Sequence, residues 1–382
     1  MNTTPPGKRT EPALASRRVV IKVGSSVLTA PDEEGVNRRV LGRIASQVAA
    51  LRRAGREVVL VSSGAIAAGS KRLGIQGAPK GMPQRQAAAA VGQPILMEAY
   101  GRAFRRRGLE TAQLLLTHAD LDARSRFLNA CNTFEALLAR GVLPIVNEND
   151  TVSVEEIRFG DNDTLSALVA QMMRAGLVVI LSDVEGLYDA DPRRDPSARL
   201  IRRVEGLPPE VAEKAGVSAN PLAHGGMLTK VRAVKVLNRM GIATLIVRGR
   251  TPNILLRALE RGEEGTLFVP NGAPLKARKG WIGTAVIPRG WIGLDAGAVK
   301  AIAEGGRSLL PKGIAGVGGD FRFGDVVELR DPKGRAVARG LSNYGAEEVA
   351  RIAGRHTGEI AEILGGKHYD EVIHRNNLVL LD

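Results

Sequence analysis

"GVLPIVNENDTVSVEEIRFGDNDTLSALVAQMMRAGLVVILSD" (residues 141–183) decides the fold. An apolar run ends in polar residues, a connection follows, Asp-Asn-Asp opens a helical apolar pattern, and a second apolar run ends in Ser-Asp. Two buried runs joined through a helix predict neighbouring parallel strands, because parallel strands need a crossover long enough to hold a helix. The polar residues then fall at one end of the sheet. Asn147, Glu148, Asn149 and Asp150 close a strand, and Asp161, Asn162 and Asp163 open the following helix. Open α/β sheets place ligands outside the carboxyl ends of their strands. A local reading competes, since one Asp or Asn caps a helix start and its field tolerates a second acid. Capping does not account for two separated clusters.

Working outward, the same alternation runs from Arg18 to about Pro270. "RRVVIKVG", "EVVLVSSG", "TAQLLLT" and "ATLIVRG" read as strands, separated by helical patterns such as "VNRRVLGRIASQVAALRRAG" and "QRQAAAAVGQPILMEAYGRAFRRRG". The prediction is an α/β fold, an open and largely parallel sheet sandwiched by helices. At "PNGAPLKARKG" the punctuation changes, and later segments such as "GWIGLD", "GDVVELRD" and "GRAVARGLSN" are short and turn-rich. They suit a small β-rich, barrel-like domain with helical pieces. The expected organisation is a disordered tail over 1–17, a large domain over 18–270, a linker over 271–277 and a small domain over 278–382.

Composition narrows the chemistry. The chain has 382 residues, 44% hydrophobic, with a formal charge of +14. That charge suits small anions or nucleic acid, or a solvated basic surface. Only 3% of residues are aromatic, which argues against base-stacking platforms along the whole chain. A single cysteine, Cys131, excludes an internal disulfide framework and reads as a packing residue on a helix. Five scattered histidines without an HExxH pattern argue against a histidine metal centre, and no metal ligand is assigned. The first residues lack a signal peptide's apolar core and no later run reaches membrane-span length, so a cytoplasmic protein without a membrane partner is expected.

Further strand ends carry candidate groups. In "IKVGSSVLT", Lys22 precedes a turn at Gly24, where backbone N–H groups can cradle phosphate while an ammonium balances moving charge; a glycine turn beside a snorkelling lysine is the plainer reading. "VSSGAIAAGSK" lacks the Gly-Lys-Ser/Thr ending of a P-loop, yet Ser62, Ser63 and Gly64 can hold a carboxylate. "ILSDVEGLYDADPR" places Ser182 and Asp183 at another strand end. "HGGMLTKVRAVKV" joins Gly225 and Gly226 to Thr229 and Lys230 at a helix start, a setting that favours anions. If a carboxylate accepts the phosphoryl group it is already ionised near neutral pH, so no general base is needed. Alignment and charge stabilisation then suffice.

Taken in order, "VVIKVGSSVLT", "VSSGAIAAG", "PIVNENDTVS", "FGDNDTLSAL", "LSDVEGLYDADPR" and "GGMLTK" resemble the bacterial glutamate 5-kinases (gamma-glutamyl kinases), a branch of the amino acid kinase family. "GRSLLPKGIAGVGGDFRFGDVVEL" resembles a PUA domain. The resemblance implies ATP-dependent phosphorylation of the L-glutamate side-chain carboxylate, the first step of proline biosynthesis, with Mg(2+) accompanying ATP. It implies catalytic roles for Lys22, Asp163 and Lys230, and substrate contacts at Ser63, Asp150, Asp161 and Asn162. Nucleotide contacts are implied at Lys22, Gly24, Ser182 and Asp183, and at His224, Gly225, Gly226, Met227, Leu228, Thr229 and Lys230. Further implied are a homodimer or homotetramer, L-proline as feedback inhibitor and coupling to glutamyl phosphate reductase. The PUA resemblance raises RNA as a ligand of that domain. "KVGSS" stands where the family often has "KLGTS", and His224 where a small residue is common. Aspartate or acetylglutamate kinase is the alternative; an RNA-binding accessory protein is a further one, which leaves the kinase motifs unexplained.

Overall fold

The computed structural model describes residues 12–29, 35–117, 120, 124–152, 162–192, 195–208, 227–262, 264–271, 288–366 and 369–381. The chain divides into two compact units, residues 1–274 and 275–382.

The first unit is built on strands β1 (Arg18–Val23), β2 (Glu57–Ser62), β3 (Thr111–Leu116), β4 (Leu143–Glu148), β5 (Leu177–Ser182), β6 (Arg203–Glu205), β7 (Ala243–Arg248) and β8 (Thr266–Val269). They form one sheet in the order β3-β4-β2-β1-β5-β7-β8-β6. β3, β4, β2, β1, β5 and β7 run parallel, and the reversal comes where β8 joins β7 antiparallel. Central strands are buried beyond their first residue, as in β1 and β2, or completely, as in β5. This is why they read as continuous apolar runs and not as alternating ones.

The helices cover the sheet because each presents an apolar face. In α2 (Arg38–Arg53), Val40, Leu41, Ile44, Ala45, Val48 and Leu51 are buried at helical spacing, and Asn37 caps the start by accepting from the Val40 N–H at 2.9 Å. It follows the short α1 (Ser25–Leu28). α3 (Ala65–Arg72) crosses α4 (Gly81–Arg105) so closely that a methyl on Gly92 would overlap the Ala65 carbonyl oxygen. Glycine is required there by contact between backbones. That approach fixes which face of α4 meets the sheet, and Tyr100, Phe104 and Leu96 are fully buried on it. Among the described residues, α5 (Arg124–Ala139), α6 (Asn162–Met172), α7 (Met227–Arg239) and α8 (Ile254–Arg261) are the further α-helices of this unit.

The second unit carries β9 (Gly290–Leu294), β10 (Ile314–Gly319), β11 (Val326–Arg330), β12 (Ala336–Leu341) and β13 (Leu378–Leu380), in the order β10-β9-β11-β12-β13. Among the described residues of this unit, only the β11–β9 pairing is parallel. Helices α9 (Ala296–Ala303), α10 (Ala346–Ile352) and α11 (Ile360–Leu364) accompany the sheet. Its core is separate and joins Ile292, Leu329 and Ala338 to Val349, Ile352 and Ile360. Among the described residues, no helix is long and apolar enough to cross a membrane.

Candidate functional site

Four neighbouring parallel strands, β4-β2-β1-β5, end side by side, and each ends in polar residues: Asn147 and Glu148, Ser62, Lys22 one residue from the end, and Ser182. Gly64, just beyond β2, has φ +104° and opens α3, a conformation that a side chain would strain. Two helix starts face this row, α6 with Asn162 and Asp163 and α7 with Thr229 and Lys230.

Asp163 is the centre of the arrangement. It is fully buried, and its carboxylate oxygens look to other elements of the fold and not to its own helix end. Lys22 Nζ lies 2.5 Å from Oδ1, Lys230 Nζ lies 3.6 Å from Oδ2, and the Thr229 hydroxyl donates to Oδ2 at 3.0 Å. Both lysines are themselves buried, at 6% and 4% exposure. Burial pushes the Asp163 carboxyl up, but attraction to Lys22 and then Lys230, with the hydrogen bonds from Lys22 and Thr229, outweighs it. The net result is a carboxyl held below its ordinary value, hence an ionised one. Two buried ammonium groups converge on one carboxylate, a setting that suits a phosphate. Sequence alone could not separate this role from capping, because both use an acid in the first turn of a helix.

The preceding residue does something different. Asn162 Nδ2 donates towards the Ser62 carbonyl at 2.7 Å, Ser63 Oγ at 2.8 Å and Asn147 Oδ1 at 3.0 Å. Its Oδ1 is buried without a hydrogen-bond partner. Buried acceptors are normally satisfied, so this oxygen is a ready seat for a ligand donor. Asn147 Oδ1 also accepts from the Glu148 N–H at 2.9 Å, and Asn147 Nδ2 donates to Gln93 Oε1 at 2.9 Å. Beneath the β2 turn, Ser62 Oγ shares a 2.9 Å hydrogen bond with the buried Tyr100 hydroxyl.

The remaining expected residues divide by position. Ser182 is buried and donates to the Asp183 carboxylate at 3.0 Å, while Asp183 is exposed. Gly24 donates its N–H to Leu181 O at 3.1 Å, so that donor is already engaged and is not free for a phosphate; a Cβ there would stand 3.2 Å from that oxygen and 3.8 Å from Lys22 Nζ, so glycine keeps the space beside the ammonium clear. Asp150 is half-buried in the turn after β4. Met227, Leu228 and Thr229 form the first turn of α7. Asp161, His224, Gly225 and Gly226 lie outside the described residues. Gln93 and Tyr100 were not anticipated; the only trace either leaves in the sequence is a polar group within a long alanine-rich helix.

Among the described residues no group of three or more histidine, cysteine or acidic side chains could hold a metal ion. One buried carboxylate beside two lysines fits a magnesium ion that arrives already bound to nucleotide phosphates and keeps most of its other ligands. A separate cavity of about 1010 Å³ lies between α2, α3 and α4, lined in part by Arg38, Leu41, Ile95 and Arg102, and contains none of these residues. Chemistry, and not volume, marks the site.

Known proteins share this arrangement of sequence. The profile of the amino acid kinase family matches residues 17–248, and that of the PUA domain matches residues 290–364. A glutamate 5-kinase from Geobacter sulfurreducens is 50% identical over 365 residues, covering 96% of this chain and 98% of the relative. One from Thermus thermophilus is 49% identical over 369 residues, covering 97% and 98%. Among solved structures, a carbamate kinase from Giardia lamblia bound to AMP-PNP superposes with a TM-score of 0.50 at 19% identity, over 68% of this chain and all of that one (100%). That likeness speaks to the fold alone. With its profile spanning most of the large unit and relatives near half identity over almost the whole chain, the protein belongs to the amino acid kinase family.

Proposed function

We propose that the chain is a glutamate 5-kinase, transferring the γ-phosphoryl group of ATP to the side-chain carboxylate of L-glutamate and opening proline biosynthesis. The acceptor is supported by relatives carrying that name at 49–50% identity across nearly the full length. The single observation that carries the chemistry is the buried Lys22–Asp163–Lys230 cluster, adjoining an Asn162 amide turned towards Ser63.

A carboxylate oxygen of glutamate attacks the γ-phosphorus in line, the bond from that phosphorus to the bridging oxygen breaks, and ADP leaves with the electron pair. No proton moves, so no side chain needs to act as acid or base. Lys22 and Lys230 stabilise the charge on the transferring and departing phosphates, and Asp163 holds both ammonium groups in place. Magnesium bound with ATP would neutralise further phosphate charge. Ser63, Asp150, Asp161 and Asn162 hold glutamate, with the Asn162 oxygen facing its α-ammonium. Gly24, Ser182, Asp183 and the segment from His224 through Gly225, Gly226, Met227, Leu228 and Thr229 to Lys230 receive the nucleotide. The family resemblance supports a homo-oligomer and inhibition by L-proline at the glutamate end.

Incubating the protein with ATP, magnesium and L-glutamate and trapping the acyl phosphate with hydroxylamine tests this. Glutamate-dependent hydroxamate is expected; its absence from folded protein would remove the assignment.

A further inference from the structure

The neutral half of the site continues behind the residues that would touch glutamate. Asn162 can leave its oxygen free only if its nitrogen is the atom facing Ser62 O, Ser63 Oγ and Asn147 Oδ1. Turned over, it would set oxygen against two oxygens that cannot donate. Asn147 must therefore present oxygen, and it does so while Gln93 Oε1 receives its Nδ2 at 2.9 Å. Asn147 and Gln93 are both buried, at 2% and 9% exposure, so water has little access to replace either partner. Gln93 is held in turn by the backbone contact at its neighbour Gly92, where α4 presses on α3.

We infer that Gln93 is a positioning residue: through Asn147 it holds the Asn162 amide with its oxygen towards the acceptor pocket, and so sets selectivity for an acceptor that carries a free α-ammonium. The inference rests on the glutamate kinase reading. The relay Gln93–Asn147–Asn162 works by orientation alone. A chain of amides has two arrangements in which every internal contact pairs a donor with an acceptor; the Ser62 carbonyl, which accepts from Asn162 Nδ2, and the Glu148 N–H, which donates to Asn147 Oδ1, select one of them, and Gln93 Oε1 holds Asn147 in it. That arrangement ends in an unpaired oxygen. An ammonium is the donor that profits most from it, since hydrogen bonds involving a charged partner are the stronger kind.

Gln93→Met keeps the volume and removes the acceptor, whereas Gln93→Glu keeps an acceptor for Asn147. Calorimetric binding of L-glutamate and of glutarate, which lacks the α-ammonium, to the full chain should separate the two roles. For Gln93→Met we expect glutamate affinity and 1/KM to fall roughly tenfold, the size of one hydrogen bond to a charged group. Glutarate binding, the KM for ATP and kcat should each change less than about twofold, and Gln93→Glu should restore most of the loss. In an Asn162→Ala background, Gln93→Met should add nothing further. If Gln93→Met does not fold, Gln93→Ala must show the same split. Equal losses for glutamate and glutarate, unchanged glutamate binding, or failure of Glu to restore it would overturn the inference. Wild-type protein that binds and phosphorylates glutamate while these variants behave identically would overturn this inference alone. Wild-type protein that binds no glutamate would sink the function with it.

Discussion

Asn162 and Asp163 are consecutive residues of one helix, yet they belong to two different physical devices. Asp163 faces charges brought from β1 and α7, and its contacts are ionic and buried. Asn162 faces β2 and β4 through neutral amides and hydroxyls. Burying three charges costs several kcal/mol per ion before their attraction is counted, so such a cluster is weak support for a fold. Neutral hydrogen bonds carry a smaller desolvation cost and orient groups sharply. The difference teaches that the charged side is suited to moving a phosphoryl group and the neutral side to recognising what receives it.

Breaking the charged side should have the largest effect. Asp163→Asn leaves two buried ammonium groups without their counter-charge. Turnover should fall about a thousandfold, and denaturant unfolding should show a loss of about 3–5 kcal/mol. Wild-type stability near neutral pH would contradict this. On the neutral side, Asn162→Ala should raise the KM for glutamate at least about tenfold with a much smaller change in kcat; an equal fall in kcat would merge the two devices into one.

Acid separates them further. The folded Asp163 carboxyl lies below its ordinary value of 3.8. Its contribution is therefore fully present above the unfolded value and disappears as pH falls through the lower folded one. Between pH 5 and 8 it should contribute no slope to stability, and the difference between wild type and Asp163→Asn should narrow only below about pH 4. A narrowing already seen near pH 6 would place the carboxyl elsewhere. The smallest effect is expected at Tyr100→Phe, which removes the hydroxyl under Ser62: about 1 kcal/mol of stability and less than a threefold change in turnover. A loss confined to turnover would make Tyr100 part of the charged device.

Much of this site was legible in the sequence for a simple reason. Lys22, Ser63, Asp150 and Ser182 all stand where an apolar run stops, and parallel strands bring such stops to one edge. Gln93 and Tyr100 were not legible because α4 spans Gly81–Arg105 and nothing local says which of its polar groups faces inward. That register is set by the contact of Gly92 with α3, a tertiary fact. The role of Asp163 was ambiguous for another reason, since a helix cap and a long-range ion pair ask for the same residue at the same place. The paired lysines resolve it, and they come from positions 22 and 230.

The central claim is that holding the acceptor and transferring the phosphoryl group are separate tasks of adjoining groups, and Lys22→Met tests it most directly. Glutamate affinity measured by calorimetry, set beside the single-turnover rate of acyl phosphate formation, gives both tasks in one variant. The account predicts affinity within about threefold of wild type and transfer slower by about a thousandfold. A variant that transfers at the wild-type rate, or one whose defect lies wholly in glutamate binding, would contradict it.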